Sequence, residues 1–237
     1  MNIAIIPARG GSKRIPRKNL RDFCGQPIIA YSIQTALKSG LFAHVVVSTD
    51  DLEIAALAVQ YGAEVPFVRP AELADDHAST AAVMQHAVKA CMVLGWDFRH
   101  LCCLYATAPF TQVADLQAGL AMLDTSDTTG ALQYAFSATS FAFPVQRAIR
   151  LDNNGAVEPV WPENMPKRSQ ELEPLFHDAG QFYWGLAGAF ETLLPVFAEH
   201  SRALLLPRHR VQDIDDEDDW VRAEWLYRAL KGCTGTP

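Results

Sequence analysis

Six basic residues stand close together near the start of the chain, in a pattern suited to phosphate binding. They are six of the 20 Lys and Arg residues in a chain of net charge −7: Arg9, Lys13, Arg14, Arg17, Lys18 and Arg21. Gly10 and Gly11 lie among them, and glycine lets the backbone turn sharply and present its N–H groups to an anion. The stretch predicts a loop that binds a polyphosphate, with a solvated run of charges as the competing interpretation.

The glycine spacing in this loop matches neither GxGxxG nor GxxxxGK[ST], which disfavours a dinucleotide site and a P-loop. Nucleic-acid binding is disfavoured as well, because the chain is acidic overall and residues 9–21 contain no interleaved aromatic platform. We therefore expect any polyanion to bind at a local patch of basic residues.

A pair of carboxylates near the other end of the chain could hold a cation. Asp213 and Asp215 are two residues apart in "DIDDEDDW", and in an extended segment this spacing points both side chains to one side. Magnesium is commonly held by one or two carboxylates together with substrate phosphates. An acidic first helical turn explains such a run equally well. To that turn we assign Asp216, Glu217, Asp218 and Asp219.

The composition of the chain indicates the class of protein to which these residues belong. The chain has 237 residues, of which 49% are hydrophobic, which is ample for a buried core. We expect one domain over residues 1–231 and a flexible tail over 232–237. No leader pattern or membrane-length apolar run is seen, and no membrane partner is expected. The cysteines are odd in number and lack CxxC spacing, which favours a reducing cytoplasm: Cys24, Cys91, Cys102, Cys103 and Cys233.

The elements that must position these residues alternate in the first half of the chain. Short apolar runs predict strands at 2–7, 44–50, 64–68 and 100–105, and amphipathic stretches predict helices at 27–40, 51–62 and from 79 or 80 onward. This order predicts an α/β fold with a Rossmann-like, mostly parallel sheet. Ligands of such sheets bind at the carboxyl ends of the strands, where the basic loop would lie.

The pattern loosens over residues 130–176, which hold five prolines and the turn-forming "NNG". A long irregular segment in a compact domain is usually functional or an arm to a partner. Beyond it we predict a strand at 180–185, a helix at 189–197, a strand at 203–206 and a final helix through Leu230.

Four stretches, in order over nearly the whole chain, carry a family resemblance: "IIPARGGSKRIPRKNL", "VVVSTDD", "FVRPAELADD" and "QDIDDED". The chain resembles the cytidylyltransferases that activate nine-carbon and related sugar acids as CMP-sugars. The resemblance implies a fold of the nucleotide-diphospho-sugar transferase type, CTP as substrate and Mg²⁺ dependence. It also implies a homodimer in which a protruding arm, here residues 130–176, helps to build the other subunit's site.

The resemblance also assigns roles to residues. Lys18 would lie nearest the reacting phosphate and act with Arg9 and Lys13 as the catalytic cations. Asp213 and Asp215 match the family's metal-binding positions. The nucleotide-binding set is Ala8, Arg9, Gly10, Gly11, Ser12, Lys18, Asn19 and Arg69. For Arg69 an ordinary surface arginine remains the alternative, and Ser48 or Asp50 could equally cap the next helix.

The sugar end departs from sialic-acid members of the family. These carry a Gln-Pro-Thr-Ser-Pro-like turn where this chain has "YATAPF", and an arginine near "FHDAGQFYWG". Both departures, and "KRSQELE", resemble the branch that uses pseudaminate, a bacterial nonulosonic acid. The implied sugar-binding residues are Tyr105, Lys167, Arg168, His177, Asp178 and Gln181, with Lys167 or Arg168 meeting the substrate carboxylate. The alternatives are N-acetylneuraminate or legionaminate as substrate, or a catalytically silent nucleotide-binding regulator.

Overall fold

The computed structural model describes residues 1–75, 78–124 and 132–232. Within these ranges the strands are β1 (Asn2–Pro7), β2 (Asp22–Phe23), β3 (Gln26–Pro27), β4 (His44–Ser48), β5 (His100–Leu104), β6 (Tyr134–Ser140), β7 (Ile149–Leu151), β8 (Val157–Pro159), β9 (Phe176–Leu186) and β10 (Ser201–Leu205). The α-helices are α1 (Ile28–Ser39), α2 (Leu52–Gln60), α3 (Thr80–Val93), α4 (Val113–Asp124), α5 (Ala187–Glu191) and α6 (Glu217–Gly232). None of the helices in these ranges is both long and apolar enough to cross a membrane.

The central sheet of the described chain has the strand order β10-β6-β9-β5-β1-β4. Only β9 runs antiparallel to its neighbours, and the pairs β10·β6, β5·β1 and β1·β4 are parallel. The carboxyl ends of β1, β4, β5, β6 and β10 therefore meet the amino end of β9 at one side of the sheet. We call this side the carboxyl edge.

Apolar side chains of the central strands alternate between two cores, one on each face of the sheet. Ile6 and Trp184 belong to the core shared with α1, α2 and α4, whereas Ile5 and Tyr183 belong to the core shared with α3 and α5. Burial on both faces explains the near-continuous apolar runs in the sequence. The predicted mostly parallel α/β sheet is confirmed.

A third cluster ties the basic loop to the last helix. Ile15, which lies within the run of basic residues, is completely buried and packs with Phe23, Phe110, Ile214 and Trp220. The loop is therefore anchored through an apolar side chain and is not a freely solvated run of charges.

The predicted strands at 2–7, 44–50 and 100–105 are confirmed within two residues, but the strand predicted at 64–68 is wrong. Only Glu64 pairs there, through Val47 N to Glu64 O at 2.9 Å and Glu64 N to Val45 O at 2.8 Å. Pro66 follows two residues later and has no N–H to continue a ladder.

The loosely patterned segment 130–176 is more regular than predicted. It holds β6, which is fully inserted in the sheet between β9 and β10, and the antiparallel pair β7·β8. Residues 130 and 131 of this segment and residues 233–237 of the predicted tail lie outside the described residues. The helix predicted at 189–197 ends at Glu191, because Leu193 adopts φ 57° and Pro195 follows. Helix α4 is an addition to the predicted elements.

Candidate active site

The basic loop, residues 8–21, leaves β1 at the carboxyl edge and runs beside the end of β4. Ala8 N donates to Ser48 O at 2.9 Å, which continues the pairing of the two strands by one residue. Ser12 N donates to Gly10 O at 3.1 Å, which makes the turn tight. The predicted position of the loop at the ends of the strands is confirmed.

Two glycines give this turn its shape. Gly10 N donates to Asp50 Oδ1 at 3.2 Å. A Cβ at Gly10 would lie 2.5 Å from Asp51 Oδ2, so a larger residue requires a shift of the loop or of Asp51. Gly11, in contrast, faces open space. The loop thus presents its backbone to solvent at Gly11, where an anion can approach it.

Two of the six cations hold the loop in place. Arg17 has φ 55° and forms ion pairs with Asp51 and Glu53. Arg21 donates to Glu217 of α6 at 2.6 Å. Because their charges are already matched by carboxylates, we assign these two arginines to the scaffold.

Arg9 and Lys13, two of the predicted catalytic cations, lie at the open part of the loop. Arg9 Nη1 donates to Asp75 O at 2.9 Å, and Lys13 is exposed. The buried Asn19 side chain donates from Nδ2 to Arg9 O at 2.9 Å. Asn19 therefore supports the backbone beside Arg9, a role that the sequence did not indicate.

Lys18 connects the two ends of the sequence. Its Nζ donates to Ile214 O at 2.6 Å, and the carboxylates of Asp213 and Asp215 lie near it. Desolvation lowers the pKa of Lys18, and the two carboxylates act in the opposite direction. The predicted phosphate-binding lysine and the predicted metal-binding pair therefore share one site.

The carboxylate pair is positioned by the start of α6. Asp219 Oδ2 accepts from Asp215 N at 3.1 Å, and Asp216 Oδ1 accepts from Asp219 N at 2.9 Å, so Asp216 and Asp219 cap the helix as predicted. The side chains of Asp213 and Asp215 take no part in this cap, and Asp215 Oδ1 pairs with Arg14 Nη2 at 2.9 Å. Partial desolvation raises the pKa of Asp213, and the charge of Asp215 adds to the effect.

The donor set of this pair fits Mg²⁺. Hard carboxylate oxygens suit the ion, and two of them leave room for phosphate oxygens and water. Within residues 1–75, 78–124 and 132–232, no group of three or more His, Cys, Asp or Glu side chains is arranged to hold a metal. A bound substrate would thus have to supply part of the coordination.

One cavity at the carboxyl edge adjoins the carboxylate pair. This polar cavity, of 380 Å³, is lined by His177, Asp178, Arg208, Asp213, Asp215 and Arg222, among others. His177 Nδ1 lies 2.8 Å from Asp178 O, and its ring packs on Phe141 with centroids 4.8 Å apart. The structure therefore brings two predicted sugar residues together with both predicted metal residues.

A second cavity lies on the other side of Asp178. This apolar cavity, of 230 Å³, is lined by Tyr105 at the end of β5 and also by Asp178. Tyr105 is partly buried, its hydroxyl lies 3.3 Å from Thr80 Oγ1, and burial raises its pKa. The two cavities meet at Asp178.

Arg69 is buried at the end of β4, so the surface-arginine alternative is wrong. Its Nε donates to Ser48 Oγ at 3.3 Å, a second nitrogen donates to Ser48 O, and burial lowers its pKa to about 10. The suggestion that Ser48 or Asp50 caps the next helix is also wrong. Asp51 caps α2, accepting from Glu53 N at 2.9 Å.

Lys167 and Arg168 are not part of the site within one chain. Both are exposed in the segment between β8 and β9, and Lys167 Nζ donates to Asn164 Oδ1 at 2.8 Å. Arg168 N donates to Glu171 Oε2 at 3.1 Å, which forms a local turn.

Gln181 is placed differently from the expectation that it binds sugar. It is only 3% exposed, its Oε1 accepts from Thr111 Oγ1 at 3.0 Å, and its Nε2 donates to Arg210 O. Arg210 in turn forms a partly buried ion pair with Asp115 at 2.6 Å. Gln181 thus fastens the segment that leads to Asp213, and we correct its predicted role to a structural one.

Sequence reasoning missed several polar residues of these cavities, among them Arg208, Arg222 and Tyr183. Arg208 follows β10 at the carboxyl edge, so the rule that places ligands at strand ends gave a signal for it. Nothing in the sequence singled out Arg222 on α6 or Tyr183 within β9.

Comparison with known proteins gives concordant matches along the chain. The model of the cytidylyltransferase family matches residues 3–178. A pseudaminic acid cytidylyltransferase from Campylobacter jejuni is 44% identical, with 96% of each chain covered. A CMP-N,N'-diacetyllegionaminic acid synthase from Legionella pneumophila is 31% identical over 94% of this chain and 95% of its own. An N-acylneuraminate cytidylyltransferase from Escherichia coli is 29% identical over 93% of this chain and 51% of its own.

Two solved structures share the fold. One is a CMP:2-keto-3-deoxy-manno-octonic acid synthetase complexed with CTP, with TM-score 0.68, 18% identity and coverage of 97% of this chain and 99% of its own. The other is a 4-diphosphocytidyl-2C-methyl-D-erythritol synthase from Anaerococcus prevotii, with TM-score 0.63, 11% identity and coverage of 96% and 98%.

Proposed function

The chain belongs to the cytidylyltransferase family, and we propose that it transfers CMP from CTP to the nonulosonic acid pseudaminic acid, with release of pyrophosphate. It is a nucleotidyltransferase. One observation carries the proposal beyond the family: the polar cavity joins His177 and Asp178 to Asp213 and Asp215, and Lys18 lies beside that pair. This arrangement supports a sugar-acid site that adjoins a triphosphate site.

The reaction asks mainly for positioning and charge stabilisation. The anomeric hydroxyl of the sugar acid loses its proton and attacks the α-phosphorus of CTP, the bond from the α-phosphorus to the oxygen that bridges it to the β-phosphorus breaks, and pyrophosphate leaves with that oxygen. We assign the triphosphate to the loop of Gly10, Gly11 and Ser12, with Arg9 and Lys13 as counter-charges. Lys18 is buried enough to keep a fixed position and acts on the charge that develops at the transferred phosphate.

Asp213 and Asp215 would hold Mg²⁺, whose chemistry when bound is to neutralise charge on the phosphate oxygens. The ion pair between Arg14 and Asp215 keeps one of these carboxylates compensated in the absence of a cation. We assign Arg69 to support of the nucleotide site, because its hydrogen bond to Ser48 fixes the end of β4.

A homodimer supplies the residues that one chain lacks. The segment around β7 and β8 exposes large apolar side chains, with Phe143 84%, Leu151 65% and Val157 62% exposed. We assign this segment as the arm that packs on a second copy, where its Lys167 or Arg168 meets the substrate carboxylate. The thiols of Cys91, Cys102 and Cys103 are unpaired and buried, which is compatible with a cytoplasmic protein.

Pyrophosphate release with CTP, Mg²⁺ and a panel of sugar acids tests the proposal. We expect kcat/KM for pseudaminate at least about a hundredfold above that for N-acetylneuraminate, since a mismatched polar pocket leaves buried groups unpaired. A comparable value for N-acetylneuraminate or legionaminate would move the assignment to another substrate of the same reaction. Absence of turnover with every acid, despite CTP binding, would favour the silent regulator.

A further inference from the structure

The apolar cavity next to Asp178 is a preformed pocket without an assigned occupant. Most of its lining is apolar, from Met84, Phe190, Leu193, Leu194, Val196 and Phe197. Its volume of 230 Å³ exceeds several-fold the roughly 30 Å³ that one water occupies in the liquid. The pocket therefore has room for a substituent of several carbon atoms.

Hydrogen bonds fix the loop that closes this cavity. Tyr134 OH donates to Leu194 O at 3.0 Å, and Gln85 Nε2 donates to Glu191 O at 2.7 Å. Leu193 holds φ 57°, a left-handed conformation that costs a non-glycine residue free energy and concentrates at ligand sites. The cavity is thus built by the fold and does not depend on a ligand to form.

The polar wall of the cavity is a chain of hydroxyl groups that ends on a carboxylate. Tyr183 OH donates to Asp178 Oδ2, Gly180 N donates to Asp178 Oδ1 at 3.0 Å, and Tyr105 lies beside Tyr183 with ring centroids 5.4 Å apart. Burial, followed by the proximity of Tyr105 and Asp178, raises the pKa of Tyr183 well above its ordinary range. The phenol therefore stays protonated and acts as the donor.

Asp178 is the group that both cavities share. It is only half-buried, while Tyr183 behind it is 8% exposed. Each carboxylate oxygen accepts one hydrogen bond from the protein and has a further lone pair, so the remaining capacity is that of an acceptor. A substituent that enters the apolar cavity past Asp178 should offer an N–H or O–H at that point and carbon beyond it.

We propose that Tyr183 is the positioning residue that holds Asp178 to accept an N–H from an acylamino group of the sugar acid, whose acyl carbons occupy the apolar cavity. This inference rests on the proposed function. A hydroxyl substituent could satisfy Asp178 but would leave the cavity unfilled, and an alkyl substituent would fill the cavity but leave the carboxylate without its donor. An acylamino group meets both requirements.

A double-mutant cycle on kinetics tests this role. The variants are Tyr183→Phe, Asp178→Asn and both together, with steady-state constants measured for pseudaminate and for CTP. Because a charge-assisted hydrogen bond orients Asp178, Tyr183→Phe should raise the KM for pseudaminate by about tenfold and leave the KM for CTP within about twofold. Asp178→Asn should do at least as much. The double variant should be no worse than Asp178→Asn, since Tyr183 acts through that carboxylate.

Two comparisons separate positioning from loss of structure. Tyr31→Phe removes another tyrosine hydroxyl, one that donates to Phe23 O at 2.6 Å. Tyr31 lines neither cavity, so this variant should leave both KM values unchanged. The preference of the enzyme for pseudaminate over a nine-carbon 2-keto acid with hydroxyls in place of the acylamino groups should shrink in Tyr183→Phe. Independent, multiplicative effects of the two substitutions, or equal rises in both KM values, would overturn the inference.

The wild-type enzyme decides the proposed function separately. If it turns over none of the acylated sugar acids, the proposed function fails. In that case the inference is tested by calorimetric titration of pseudaminate into the wild type and into Tyr183→Phe. Equal affinities of the two proteins, or no binding to the wild type, would overturn it. If Tyr183→Phe does not fold, the test rests on Asp178→Asn, whose substitution lies at a half-buried position. This variant must raise the KM for pseudaminate and leave the KM for CTP unchanged, or the inference is overturned.

Discussion

Lys18 is the residue whose position in the structure makes the sharpest claim about chemistry. Its ammonium lies near the carboxylates of Asp213 and Asp215, and it donates to Ile214 O at 2.6 Å. Preorganised charge of this kind acts where charge develops during the reaction, without reorganisation at that moment.

Lys18→Met should therefore lower kcat by roughly ten- to a thousandfold, as for loss of one preorganised donor. Methionine keeps the apolar stem, so the thermal unfolding midpoint should change little. Lys38→Met, at an exposed lysine in α1, is the matched control and should keep the wild-type rate. Wild-type kcat in Lys18→Met would remove this lysine from the site.

The acidic run at the start of α6 separates into two roles at single-residue resolution. Asp213→Asn and Asp215→Asn each replace a carboxylate that we propose as a Mg²⁺ ligand by a neutral amide of the same size. Each should raise the Mg²⁺ concentration for half-maximal rate by at least about tenfold. Asp218→Asn, at an exposed position outside the cavity, should not. Equal shifts at all three positions, measured in a Mg²⁺ titration at constant ionic strength, would mean that bulk charge is responsible.

At the scale of elements, the basic loop depends on an apolar anchor. Ile15 is completely buried between loop and α6. Ile15→Ala should cost about 2–5 kcal/mol in the free energy of unfolding, because it removes buried carbon and leaves a cavity. It should also raise the KM for CTP, because the basic loop loses its fixed shape. Leu52→Ala, at a leucine 79% exposed in α2, should do neither in the same denaturation and kinetic measurements. An unchanged KM for CTP in Ile15→Ala would show that anchoring of the loop by Ile15 does not contribute to nucleotide binding.

The elements that could be predicted are those whose sequence pattern reflects burial on both faces. β1, β4 and β5 are continuous apolar runs, and the sequence places their ends, and hence the basic loop, correctly. β6 has the polar sequence "YAFSATS", with Ser137 and Thr139 buried through hydrogen bonds to Phe182 O and Leu206 O. Such partners come from distant strands, so no local pattern reveals them.

The same limit applies to the residues around Asp178. Gly180 has φ 61°, and the register between β6 and β9 shifts between Phe136 and Ala138. A period-two count from Asp178 therefore does not give the side on which Gln181 lies. The sequence identified Asp178 through its departure from sialic-acid members, but not the hydroxyl of Tyr183 that holds it.

For the whole molecule, the exposed apolar arm predicts an assembly. Leu151→Lys, which places a charge on the exposed face of β7, should shift the protein from dimer to monomer in sedimentation velocity. Val93→Lys, at a residue 87% exposed at the end of α3, is the matched control and should stay dimeric. A monomeric wild type, or a dimeric Leu151→Lys, would contradict the arm's role.

Assembly also predicts a division of labour between subunits. If Arg168 completes the partner's site, a mixed dimer of Lys18→Ala and Arg168→Ala chains has one site in which both residues are intact. Mixing the two impaired variants under subunit exchange should then raise the rate of pyrophosphate release to about a quarter of the wild-type rate, since half of the dimers are mixed and each has one intact site. If Arg168 instead served its own chain, every site in the mixture would lack one residue and no activity would return. The monomeric Leu151→Lys background should abolish the recovery, because the restored site requires both chains.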